Sequence, residues 1–104
     1  MGFEVFITET FKKKIAFQNR KFHAWLEKVF DQLVLTPFVG KPLGVKWFRE
    51  KKFENSRIYY IIFEDKKIVY IVNFSLKKDQ QRVIDSTRLL FDKYRKDIAF
   101  LSKK

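Results

Sequence analysis

The stretch Arg49–Arg82, REKKFENSRIYYIIFEDKKIVYIVNFSLKKDQQR, decides the fold. Two apolar runs, Ile58–Phe63 and Ile68–Phe74, flank the polar segment Glu64–Lys67. Short runs rich in Ile, Val, Tyr and Phe, joined by a polar turn, predict a β-hairpin. The runs are nearly continuous rather than alternating, so both faces of these strands are expected to be covered. Pairing Phe63 with Ile68 across the turn sets Tyr59 opposite Val72 and Arg57 opposite Phe74. Cations gather just outside the runs: Arg49, Lys51, Lys52 and Arg57 on one side, Lys77, Lys78 and Arg82 on the other. A stiff hairpin with charge at its outer ends presents positive potential at one rim.

Working outward, Val45–Phe48 begins an extended segment leading into Arg49, preceded by a loop punctuated by Gly40, Pro42 and Gly44. Before that loop, Phe22, Trp25, Leu26, Val29, Phe30 and Leu33 recur at helical spacing and predict a helix over residues 20–34 that stops ahead of Thr36-Pro37. Asn19 starts that helix or kinks a longer helical hairpin. Phe3, Val5 and Ile7 suit a short first strand, and Thr8 or Thr10 caps a helix carrying Phe11 and Ile15. Past the hairpin, Val83, Thr87, Leu90, Tyr94, Ile98 and Leu101 form the stripe of one long helix from about Asp79 to Ser102. The order β-α-α-β-β-β-α predicts an α+β fold. An N-terminal strand and helical hairpin cover one face of a small, mostly antiparallel sheet, and the C-terminal helix covers the other.

The 104 residues suit a single domain spanning 1–104, and 46% apolar residues with 13 Phe supply a packed interior. The charge stands apart, with 23 Lys+Arg against 12 Asp+Glu for a net +11. Residues 1–40 hold 6 basic and 4 acidic residues, whereas 41–104 hold 17 and 8, so the excess sits in the half that carries the hairpin. Such a balance favours nucleic acid, an anionic surface or an acidic protein as partner. With no Cys, disulfide and thiolate chemistry are excluded. No leader-like segment opens the chain, and no apolar run approaches the ~20 residues of a bilayer span. A cytoplasmic protein that engages no membrane is the expectation.

Familiar catalytic sets are missing. The lone His23 has no Cys or clustered carboxylate to make a transition-metal site with, and the three glycines form no phosphate loop. No metal or small-molecule cofactor is expected. The cationic rim is left. RNA carries its own nucleophile, the 2′-hydroxyl, so a protein that cleaves it must take that proton, stabilise added charge on phosphorus and protonate the leaving 5′-oxygen. Arg suits the middle task because its planar fork stays charged and grips phosphate oxygens in pairs. Lys assists proton transfer where crowded cations lower its pKa. Tyr59, or Tyr60 on the opposite face, offers a ring for a base or a hydroxyl. Plain solvated strand ends fit the same charges, and Arg57 also fits a strand-end salt bridge with Glu50 or Glu54.

The segment Arg49–Tyr60, REKKFENSRIYY, resembles the core signature of the RelE/ParE toxin superfamily: an Arg-Glu pair, a further basic residue, a short turn, then Arg and an aliphatic-aromatic strand. Phe38–Leu43 resembles the connector after that family's helical hairpin, and Phe74–Gln81 its basic segment closing the last strand. The resemblance extends from about Phe3 to Ile84. It implies a toxin of a type II toxin–antitoxin system: in RelE-like members, an endoribonuclease that cuts messenger RNA in the ribosomal A site and is silenced by a bound antitoxin. By position, Arg57 matches the strand Arg that contacts the scissile phosphate, and Lys51 and Lys52 match the basic residues before that strand. Lys77 or Lys78 matches the basic residue that stabilises the transition state. Lys52, Arg57, Lys77 and Lys78 are therefore the catalytic candidates, with Arg49, Lys51, Tyr59 and Arg82 as RNA-binding candidates. Some RelE members carry a late Tyr or His where Arg82 or Val83 stands here. The implied partners are an antitoxin protein and messenger RNA on the ribosome. A ParE-like gyrase inhibitor that cuts nothing is the second reading, and a catalytically inactive basic binding module the third.

Overall fold

The computed structural model describes residues 2–103, and its sheet is built on the expected hairpin. The strands are β1 (Glu4–Ile7), β2 (Lys41–Pro42), β3 (Phe48–Phe53), β4 (Ser56–Phe63) and β5 (Ile68–Leu76), in the order β1-β5-β4-β3-β2. Only β1 runs parallel to its neighbour, β5; the other pairs are antiparallel. The helices are α1 (Glu9–Ile15), α2 (Arg20–Leu35), α3 (Gln80–Arg88) and α4 (Phe91–Leu101). This is the expected α+β architecture with two additions: the short edge strand β2, and a break in the C-terminal helix.

Each sheet face carries its own core. On the first, Phe11 and Ile15 of α1 and Phe22, Leu26, Val29 and Leu33 of α2 pack on Ile58, Tyr60, Ile62, Val69, Ile71 and Phe74. On the second, Val83 and Ile84 of α3 and Tyr94 and Ile98 of α4 pack on Phe48, Tyr59, Ile61, Ile68, Tyr70 and Val72. Each fully buried aromatic or branched side chain contributes about 1.5–3 kcal/mol, which is why so small a sheet tolerates so much charge around it. The helix starts are those the sequence marks: the Thr8 hydroxyl accepts the Phe11 N–H, and the Asn19 side chain accepts that of Phe22.

The hairpin register departs from the expectation. Phe63 faces Ile68 as anticipated, and the ladder is regular to Tyr60 opposite Ile71. There a β-bulge inserts Val72, so Tyr59 faces Asn73 rather than Val72, and Arg57 faces Ser75 rather than Phe74. Side chains alternate along a strand, so one extra residue exchanges the faces of everything beyond it. Phe74 consequently enters the first core, and Ser75 turns to the second face, where its Oγ lies 2.7 Å from the Tyr59 hydroxyl.

The expected long C-terminal helix breaks at Leu89-Leu90, both of them exposed. Thr87 turns its hydroxyl back onto the Val83 carbonyl at 2.7 Å and accepts the Asn73 amide at 3.1 Å, anchoring α3 to the bulge. After the break, Phe91 packs its ring 4.9 Å from that of Trp47 and 5.0 Å from that of Phe48. Among the described residues, no helix is long and apolar enough to cross a membrane.

Candidate functional site

At the end of the sheet where β3 turns into β4, the connector after α2, the two strands and the start of α3 enclose a cleft of about 440 Å³. Its lining is Val39, Gly40 and Lys41 from the connector, Glu50, Lys51 and Lys52 from β3, Arg57 from β4 and Gln80 from α3. Register explains the set. Glu50 faces Tyr59 and Lys52 faces Arg57, so strand alternation brings Glu50, Lys52 and Arg57 to the second face of the sheet. The bulge adds Ser75 beside Arg57 on that face.

Arg57 is 7% exposed, yet it pairs with neither Glu50 nor Glu54. Its Nη1 instead donates to the carbonyls of Glu54 and Ser56, at 3.0 and 3.1 Å. Among the described residues the ion pairs are Arg82–Asp79, Lys93–Asp97 and Arg95–Asp92, none of them in the cleft. The guanidinium is thus fixed by neutral carbonyls rather than by a carboxylate at the cleft wall.

Two residues of the cleft were not among the sequence candidates: Glu50, read there only as an ion-pair partner for Arg57, and Gln80. The Gln80 Nε2 donates to the Glu50 Oε1 at 2.6 Å, setting a 6% exposed carboxylate on the same face as Arg57. Glu50 was legible in principle, since Phe48, Glu50 and Lys52 alternate and an acid at an inward position is costly to bury without a purpose or a partner. Gln80 depends on the packing of α3 and has no such signal.

The other sequence candidates separate. Lys52 is exposed and directly across from Arg57. Lys51 points to the opposite face, where its ammonium donates to the Gln32 side chain of α2 at 2.9 Å and burial lowers its pKa. Lys77 and Lys78 are exposed in the short 3-10 turn Lys77–Asp79. The Lys77 N–H donates to the Asn55 carbonyl at 2.9 Å, which places that turn against the β3–β4 turn at the cleft rim.

Three of the RNA-contact candidates do not line the cleft. Tyr59 is fully buried with its hydroxyl held by Ser75, so its ring is closed to a base; Tyr60 is likewise buried. Burial raises the pKa of both phenols. Arg49 is spent on structure: its Nη1 donates to the carbonyls of Phe38 and Gly40 at 2.8 and 2.7 Å, and its Nε to that of Lys46 at 2.8 Å. Arg82 lies outside the cleft on α3, 3.6 Å from Asp79.

The connector wall is fastened twice. The Tyr60 hydroxyl donates to the Pro37 carbonyl at 2.8 Å and accepts the Gly40 N–H at 2.9 Å, while Arg49 clamps the carbonyls beside it. A Cβ at Gly40 would lie 2.6 Å from both the Glu50 carbonyl and the Tyr60 hydroxyl, so only glycine lets the connector approach β3 this closely.

A two-faced sheet with a helical hairpin on one side and a cationic cleft at the end of its central strands defines a known class. The family model described as the ParE toxin of the type II toxin–antitoxin system, parDE, matches residues 7–80, and the chain belongs to this family within the RelE/ParE group. Among solved structures, a double mutant of E. coli toxin RelE in the free state superposes with a TM-score of 0.72 at 14% identity, over 88% of this chain and 100% of that one. The toxin–antitoxin complex RelBE2 from Mycobacterium tuberculosis gives 0.63 at 22% identity, over 73% and 99%. The intact E. coli RelBE toxin–antitoxin complex gives 0.63 at 15%, over 71% and 95%. At these identities the likeness is one of fold. No curated protein matches the sequence.

Proposed function

We propose that this toxin is a metal-independent endoribonuclease that cleaves ribosome-bound messenger RNA and so stops translation, with Arg57 at the centre of its site. The observation that carries the reading is the guanidinium itself, held by two backbone carbonyls, unpaired with any carboxylate, and facing Lys52 across the strands. The chemistry follows from the cleft. The Glu50 carboxylate takes the proton of the 2′-hydroxyl, and the 2′-oxygen attacks phosphorus. Arg57 stabilises the charge that builds on the non-bridging oxygens. The P–O5′ bond breaks, and a lysine, Lys52 or one of the rim pair Lys77 and Lys78, gives a proton to the departing 5′-oxygen. The products are a 2′,3′-cyclic phosphate and a 5′-hydroxyl.

The partner that restrains such a toxin is an antitoxin, as in the complexes among its structural relatives. A net charge of +11 suits an acidic segment laid over the cleft. The second reading, a gyrase-directed toxin that cuts nothing, is favoured by one observation: the matching family model is that of ParE. Primer extension on messenger from a cell-free translation system separates the two. Discrete ribosome-dependent cuts, absent with Arg57→Lys, support the nuclease. Translation continuing on uncut messenger, with gyrase supercoiling inhibited, transfers the assignment to the second reading.

A further inference from the structure

Beyond the cleft, the chain carries a second cationic cavity on the other side of β5. Strand β1 ends at Ile7 opposite Ile71, and Thr8 closes the pairing: its N–H donates to the Ile71 carbonyl and its hydroxyl to the Val72 carbonyl. Past Val72, no strand covers this edge of β5. Helix α1 instead brings Lys14 over it, the ammonium donating to the Asn73 Oδ1 at 2.7 Å and lying 3.4 Å from the Phe74 carbonyl. Helix α3 brings Arg82 to the same place. Between them is a cavity of about 210 Å³ whose walls include Lys14, Ser75, Asp79 and Arg82.

We propose that this Lys14–Arg82 cavity is a second phosphate subsite, taking the phosphodiester that adjoins the one held at Arg57. The proposal rests on the ribonuclease reading and extends the path of the RNA across the end of β5. Ser75 is the shared wall: it lines the cavity and is the direct cross-strand neighbour of Arg57. Neighbouring strands lie about 4.8 Å apart, so the two anion positions are separated by one strand and a side chain, the reach of one nucleotide. The single carboxylate present, Asp79, holds Arg82 at 3.6 Å in an exposed pair, and such pairs exchange partners at little cost. Burial first, and then Arg82, lower the Lys14 pKa, while Asp79 opposes them. An anion seated between the two cations relieves that repulsion.

The test uses the whole toxin and two 2′-O-methylated RNA probes that cannot be cut, a dinucleotide with one phosphate and a trinucleotide with two, titrated by NMR. In the unaltered protein both probes shift the Arg57 cleft, and the second phosphate tightens binding about fivefold. Its salt slope grows by about 0.7. Arg82→Ala erases that gain, as does Lys14→Gln, which keeps a donor for Asn73 and so preserves the fold. Lys96→Ala, on α4, retains it. A gain undiminished in both variants overturns the subsite and leaves the nuclease reading standing. A cleft that responds to neither probe overturns both.

Discussion

At the scale of single residues, the site turns on how Arg57 is held. A buried guanidinium fixed by two carbonyls contributes to folding as well as to chemistry, so Arg57→Ala removes about 1–2 kcal/mol of stability along with the charge. Arg57→Lys is the more informative variant, because an ammonium keeps the charge and loses the fork. We expect it to lower the rate of messenger cleavage by about 10²–10³-fold while thermal unfolding shifts by only a few degrees, checked by single-turnover cleavage beside calorimetry. Glu50→Gln tests the proton acceptor. The amide fits the same space, so the fold is expected to hold while cleavage falls by about 10²-fold or more. Cleavage unchanged in Glu50→Gln would return the base to another group. Lys52 stood out in the sequence as one of many basic residues, whereas Glu50 was hidden by being acidic in a segment read for its cations.

At the scale of elements, the hairpin, the helix caps and the helical pair were legible because each depends on local signals: the apolar runs, Thr8, Asn19 and Thr36-Pro37. What the sequence withheld depends on contacts distant along the chain. The bulge carries no Gly or Pro; its sole mark is Asn73, a lone amide in an apolar run, whose side chain is held by Lys14 of α1 and Thr87 of α3. The break at Leu89-Leu90 was invisible because the helical stripe continues in phase across it. Its cause lies in Phe91 reaching the rings of Trp47 and Phe48. The connector makes the element-scale prediction. Gly40→Ala forces the chain away from the Glu50 carbonyl and the Tyr60 hydroxyl, costing about 1–3 kcal/mol and widening the cleft. Denaturant unfolding reads the first effect, and a weakened affinity for RNA reads the second. A variant as stable as the parent would show that the connector yields freely.

For the molecule as a whole, all four tyrosines, Tyr59, Tyr60, Tyr70 and Tyr94, are buried, and burial raises the pKa of each. Asp97 pushes Tyr70 and Tyr94 further in the same direction. The folded chain therefore holds phenolic protons that the unfolded chain releases near pH 10.0. Stability from these groups is complete below that pH and declines as pH rises toward the raised folded values. Tyrosinate absorbance and loss of far-UV circular dichroism are expected to appear together, in one transition above pH 10.0; tyrosinate forming in a still-folded chain would contradict the burial. The two cores behave differently toward change at one place. Strand β5 is shared by both, and Val72 is a single extra residue in its ladder. An in-frame loss of that one codon would leave every charged side chain in place and close the ladder, with Asn73 following Ile71 and still opposite Tyr59. Phe74 and Ser75 would keep their faces, and the second core would lose the valine it holds there. The extra residue is therefore one the sheet could shed without turning a side chain over, at the expense of one core and not the other.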